Sequence, residues 1–220
     1  WYTYLPEFGI TTDVVTVMPY VEEKGSNDFE SLDSDSGRVF RVPIKWNVRD
    51  LLLDRFDGSW LDFIRKFFSL LQITSPFFTR LWDEKHNILK FSKKRLRSDK
   101  YDLIIATGEP FILFKYAQKL SDTTGIPWVA DYRDPWSHNL IQYGDPVMRF
   151  LGRFFFRPIE RKIVSKASCI TTASPSYSRK IEELFPNKKI QTILNGYYEP
   201  LFSKKQTATL GTHQAREAIM

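Results

Sequence analysis

The sequence predicts a doubly wound α/β fold with a mostly parallel sheet, on three observations. Short, continuous apolar runs such as "YDLIIATG", "IPWVADY" and "SCITTAS" read as strands buried on both faces. Each is followed by a segment whose apolar residues recur at helical spacing, and Gly or Pro punctuates the junctions. Strands and helices alternating in this way mark a parallel sheet covered on both sides.

Taken in order, "WYTYLPEFG" reads as the second half of an amphipathic helix closing on Gly9, a residue favoured just past a helix end. A short strand is expected from Asp13 to Val17, then an acidic, polar loop, "VEEKGSNDFESLDSDSG", and a second strand from Arg38 to Ile44. Between about Trp60 and Leu96, two helices separated by Pro76 are expected from the spacing of Phe63, Phe67, Leu70 and Leu71, then Phe78, Leu81, Trp82, Ile88 and Leu89. "YDLIIATG" is a buried strand, "PFILFKYAQKLSDTTG" a helix ending at Gly125, and "IPWVADY" another strand. A long helix follows from Pro146, with Pro158 expected to interrupt it. "SCITTAS", "PSYSRKIEELFP" and "KIQTILNG" complete the series as strand, helix and strand.

The 220 residues suit one large domain, with 42% apolar and 26% charged residues and 18 Phe giving an aromatic-rich globular composition. A single cysteine, Cys169, lies within a strand pattern and reads as a core thiol. No Cys/His cluster has metal-ligand spacing, so no metal is expected, and a cytoplasmic location fits the cysteine usage. No apolar run approaches the roughly 18 residues of a membrane span, and no signal-peptide pattern is seen. The net charge of +6 is concentrated in Arg80 to Lys100 and Arg149 to Lys166, which suits anionic partners. Nucleic acid is not expected among them, because no reading helix or stacking platform is identifiable.

Ligands of open parallel sheets meet the loops that leave the carboxyl ends of the strands. Three loops qualify. In "TGEPF", Gly108 permits a tight turn, Pro110 suits the first turn of the next helix, and Glu109 complements its dipole or faces a ligand. In "DYRDPW", Asp131, Arg133 and Asp134 are expected to form one Asp–Arg pair that fixes the loop, leaving one carboxylate for a sugar hydroxyl. Trp136 is either a platform for a pyranose ring or a core residue. In "ASPS", Ser174 is a helix N-cap or a cleft residue.

The order "YDLIIATGEPF", "TGIPWVADYRDPW", "RPIERKIVSKASCITTASPS", "IQTILNGYYEP" resembles the N-terminal, acceptor-side domain of a family-four, GT-B-fold glycosyltransferase of the kind that builds bacterial surface polysaccharides. The resemblance implies a Rossmann-like half of a GT-B fold over residues 1–202, with 203–220 a linker or tail. It also implies retaining transfer of a sugar from a nucleotide-sugar donor, a substrate rather than a cofactor, to a glycan or lipid-linked acceptor. Asn195 and Gly196 would mark the approach to an interdomain linker. The family's first strand with its glycine-rich loop, and its nucleotide-gripping second domain, are not recognisable. The 220-residue piece is therefore expected not to transfer sugar alone.

Arg149, Arg153, Arg157 and Arg161 recur every four residues along the long helix, amid Met148, Leu151, Phe154, Phe155 and Ile159. That pattern suits peripheral attachment to an anionic membrane, on its inner face, and the rival to a transferase is a non-catalytic α/β module that binds such a surface. The basic run Lys90 to Lys100 is a second candidate surface.

Overall fold

A computed structural model of the chain describes residues 5–18, 30–34, 37–44, 77, 83–137 and 146–196. Its larger sheet is fully parallel, with β4 (Ile104–Gly108), β5 (Trp128–Tyr132), β6 (Cys169–Thr172) and β7 (Ile190–Thr192) in spatial order 4-5-6-7. Between these strands run α2 (Ile112–Thr124), α3 (Pro146–Val164) and α4 (Pro175–Leu184). The expected α/β alternation is therefore observed, as the Rossmann-like half of a GT-B fold requires.

The smaller sheet holds β1 (Thr12–Val17), β2 (Glu30–Ser34) and β3 (Gly37–Val42) in order 1-3-2. β1 and β3 are parallel, and β2 returns antiparallel along β3. β2 lies where an acidic loop was expected. Its main-chain groups complete a hairpin on an open strand edge, a pairing that hydrophobic patterning does not register. Of the expected first helix, the described residues form a 3-10 turn, Leu5–Phe8, closed by Gly9 at φ +72°. Of the two helices expected between Trp60 and Leu96, the first lies outside the described residues and the second is α1, His86–Ser98. The 202/203 boundary also lies outside them.

Two apolar clusters share α2. Phe114 and Ala117 pack with Trp128, Ala130, Tyr132, Phe156 and Ile170 of the parallel sheet and its helices. Ile112, Tyr116 and Leu120, four residues apart, face Ile88 and Leu89 of α1 and Val42 of β3. Gly125 ends α2 as expected, at φ +76° with its amide donating to the Ser121 carbonyl at 2.8 Å. Pro158 does not interrupt α3, which runs through it. Pro158 and Phe154, four residues before it, both lie on the exposed face of the helix, where the proline ring meets solvent and not the core.

Asp13 joins the small sheet to the larger one. Arg38 on β3 donates to both carboxylate oxygens at 3.1 and 2.8 Å, and the Tyr101 hydroxyl, just ahead of β4, donates to the second. Burial alone would raise the Asp13 carboxyl, but hydrogen bonds from Arg38 and Tyr101, and the charges of Arg38 and Arg95, hold it below the usual range. A depressed carboxyl stabilises the fold above its unfolded value of about 3.9, and that contribution is lost as pH falls through the folded value. Asp13→Asn is expected to cost about 1–2 kcal/mol at pH 7. In urea titrations at pH 7 and pH 3, the gap between variant and wild type should narrow at the lower pH.

Candidate functional site

The carboxyl ends of three strands lie side by side. Gly108, Tyr132 and the following Arg133 of the first two strands are joined by an Arg133 amide that donates to the Gly108 carbonyl at 3.4 Å, and Tyr132 is in register with both Gly108 and Thr172. The Ala173 amide in turn donates to the Tyr132 carbonyl at 3.2 Å. "TGEPF", "DYRDPW" and "ASPS" therefore form one continuous edge of the sheet. Gly108 is fixed by packing: a Cβ there would sit 2.6 Å from the Phe111 ring and 3.1 Å from Phe114. Gly108→Ala is expected to cost about 2 kcal/mol, read from chemical denaturation, because the aromatic ring must move. Pro110 lies ahead of α2 rather than in its first turn, since the helix begins at Ile112.

Asp131 is 8% exposed, and the expected Asp–Arg pair does not form around it. Its carboxylate accepts from the Thr107 hydroxyl at 3.0 Å and the Thr171 hydroxyl at 2.6 Å. Thr107, Asp131 and Thr171 occupy the same register position on β4, β5 and β6. Hydroxyl donors on both flanking strands satisfy the carboxylate without the desolvation cost of a buried guanidinium. Arg133 and Asp134 are both exposed beyond the strand end. The carboxylate left facing solvent in this loop is that of Asp134, with Glu109 exposed on the neighbouring loop.

The far half of the loop is tied down by side chains that face inward. Trp136, 2% exposed, stacks on Phe111 at 5.0 Å with the rings 5° apart, and also meets Phe77, Phe114 and Phe156. It is a core residue and offers no face to a sugar. Glu160 of α3, 1% exposed, accepts from the Tyr132 hydroxyl at 2.9 Å and from the Ser137 amide at 3.1 Å. Burial pushes the Glu160 carboxyl up, against the opposing pull of Ser137, Tyr132 and the Arg157 charge. Burial and the neighbouring Glu160 likewise push the Tyr132 phenol well above its ordinary value.

The glycosyl transferase 4-like domain model matches residues 1–196. The chain belongs to that family. No curated protein matches it. In this glycosyltransferase domain, Gly108, Glu109, Asp131, Arg133, Asp134 and Ser174 are brought to one edge of the sheet, whereas Trp136 is turned beneath it. Ser174 caps α4, its hydroxyl accepting from the Tyr177 amide at 3.3 Å and paired with Ser176 at 2.8 Å. Asn195 and Gly196 are exposed beyond β7. Arg157 and Arg161 are exposed on α3, while the side chains of Arg149 and Arg153 lie outside the described residues. No group of His, Cys, Asp or Glu suited to a metal occurs among the described residues, and no described helix is long and apolar enough to cross a membrane.

The candidate site also rests on residues that the sequence left unmarked, namely Thr107 and Thr171 beside Asp131, and Glu160 beneath the loop. Aligning the strand ends "ATG", "ADY" and "ITT" places a polar residue at one level in all three. That alignment is the signal for the threonines. Glu160 stands in "RPIERK", where its basic neighbours give it the look of a solvated charge.

Proposed function

We propose that this domain supplies the acceptor side of a retaining glycosyl transfer, in which a sugar leaves a nucleotide-sugar donor for a glycan or lipid-linked acceptor at the cytoplasmic face of a membrane. The observation that carries the reading is the presence of an exposed carboxylate, Asp134, next in sequence to an exposed guanidinium, Arg133, on a loop anchored by Asp131 and Glu160. Family membership supplies the reaction class.

Asp134 is suited to orient an acceptor hydroxyl and to take up its proton as the new glycosidic bond forms. Arg133 is suited to pair with a phosphate of donor or acceptor, since its planar fork matches that group. Glu109, one loop away, offers a second acceptor for sugar hydroxyls. Asp131 keeps its threonine partners and holds the loop at the strand end. Rigid placement of this kind is what positions an acceptor hydroxyl beside the donor's anomeric carbon.

The test is direct. Full-length protein is incubated with UDP-, GDP-, dTDP- and CMP-sugars, and binding and nucleotide release are followed. At least one donor should bind and be consumed, with the product keeping the donor's anomeric configuration. Binding and release absent with every donor would overturn the reading.

A further inference from the structure

The outward face of α1 carries Lys90, Lys93, Lys94 and Arg97, all exposed, at spacings of three and four. On an α-helix these positions fall within an arc of about 100° and a length of about 10 Å. The opposite face holds Ile88 and Leu89 against the core, with Phe91 packed on Phe40 at 5.1 Å. Arg95 also turns inward, 4.9 Å above the Phe40 ring and bonded to Asp99. Arg38 bonds both Asp13 and Asp99. Asp13 and Asp99 are thus committed to Arg38 and Arg95, and Asp83 and Glu84 to His86 and Lys85 at the start of the helix, so among the described residues no ion pair reaches the outward row.

We propose that this face of α1 is a docking surface for a bilayer of anionic phospholipid. It extends beyond the transferase reading and does not depend on it. The four side chains line a shallow, open depression of about 430 Å³ together with Ser98. Among the described residues no buried polar group closes around that space, as a discrete phosphate site would require. No exposed aromatic lies on α1 to stack a base, which sets nucleic acid behind a membrane. A flat row of long, mobile cations matches a plane of headgroup phosphates, to which each Lys or Arg adds about fivefold in affinity. α1 leads into β4 through residues 99–103, so its C-terminal turn lies at the amino end of that strand. The basic face therefore flanks the sheet and leaves the carboxyl-end edge open to substrates.

Sedimentation with vesicles of phosphatidylglycerol and phosphatidylcholine tests this. The protein should bind mixed anionic vesicles and ignore pure phosphatidylcholine. The variant with Lys90, Lys93, Lys94 and Arg97 all replaced by Gln should bind at least a hundredfold more weakly while melting at the wild-type temperature. Arg157→Gln with Arg161→Gln on α3 should change binding by less than about tenfold. Any of four results would overturn the proposal: no anionic binding by the wild type, full binding by the quadruple variant, loss confined to the α3 variant, or displacement by inorganic phosphate beyond an ionic-strength-matched chloride control. Retention of an RNA oligonucleotide by protein that ignores the vesicles would likewise overturn it and assign the face to nucleic acid.

Discussion

Trp136→Ala is expected to lower stability by about 3–5 kcal/mol, the cost of emptying a large aromatic site in a packed core. For a domain of this size the melting midpoint should fall by about 10 °C. The indole is the hub on which Phe77, Phe111, Phe114 and Phe156 meet, and it carries the loop that holds Arg133 and Asp134. Trp136→Phe keeps a ring on Phe111 and should lose less than half as much. A tryptophan serving as a sugar platform would behave in the opposite way, with stability preserved and acceptor affinity lost. Calorimetric melting of both variants separates these outcomes.

The second large effect is expected at Glu160. Alanine there removes the acceptor for the Tyr132 hydroxyl and the Ser137 amide, both in the interior. Two orphaned donors and a small void amount to about 3 kcal/mol. Glutamine should be tolerated, because its carbonyl accepts from Ser137 and its amide donates to the phenolic oxygen. The pH dependence follows from the raised carboxyl. The folded state holds its proton more tightly than the unfolded state, so the stabilising contribution of Glu160 is full below its unfolded value of about 4.3 and declines as pH rises through the folded value. Glu160→Gln removes that decline, and the variant should gain on the wild type between acid and neutral pH. Denaturant midpoints across pH 4 to 7 report it.

Most of the parallel sheet was legible in the sequence because its strands are short, apolar and bounded by Gly or Pro, and Gly125 closes α2 at the expected residue. β2 was not, since Glu30–Ser34 pairs through its backbone and carries no apolar alternation. At the site, the three loops picked out by spacing do lie side by side at the strand ends, but the expected Asp–Arg pair does not form around Asp131. Arg133 is its sequence neighbour, whereas Thr107 and Thr171 are 24 and 40 residues away and arrive only through sheet register. Glu160 was hidden for the same reason, since nothing local in "RPIERK" reports that one helix face is buried under a distant loop. Pro158 misled because a proline within a helical pattern is expected to interrupt it, whereas α3 runs through Pro158 with the ring on an exposed face.

The central claim is that acceptor chemistry belongs to the exposed carboxylate of the "DYRDPW" loop and loop anchoring to the buried one. Turnover of Asp134→Asn in the full-length protein, measured with the donor that the panel selects and beside a melting curve, tests it most directly. The proposal predicts a loss of at least about a hundredfold in kcat, the usual weight of a positioned base, with the melting temperature unchanged. A kcat within about twofold of wild type would contradict it and move the acceptor chemistry away from this loop.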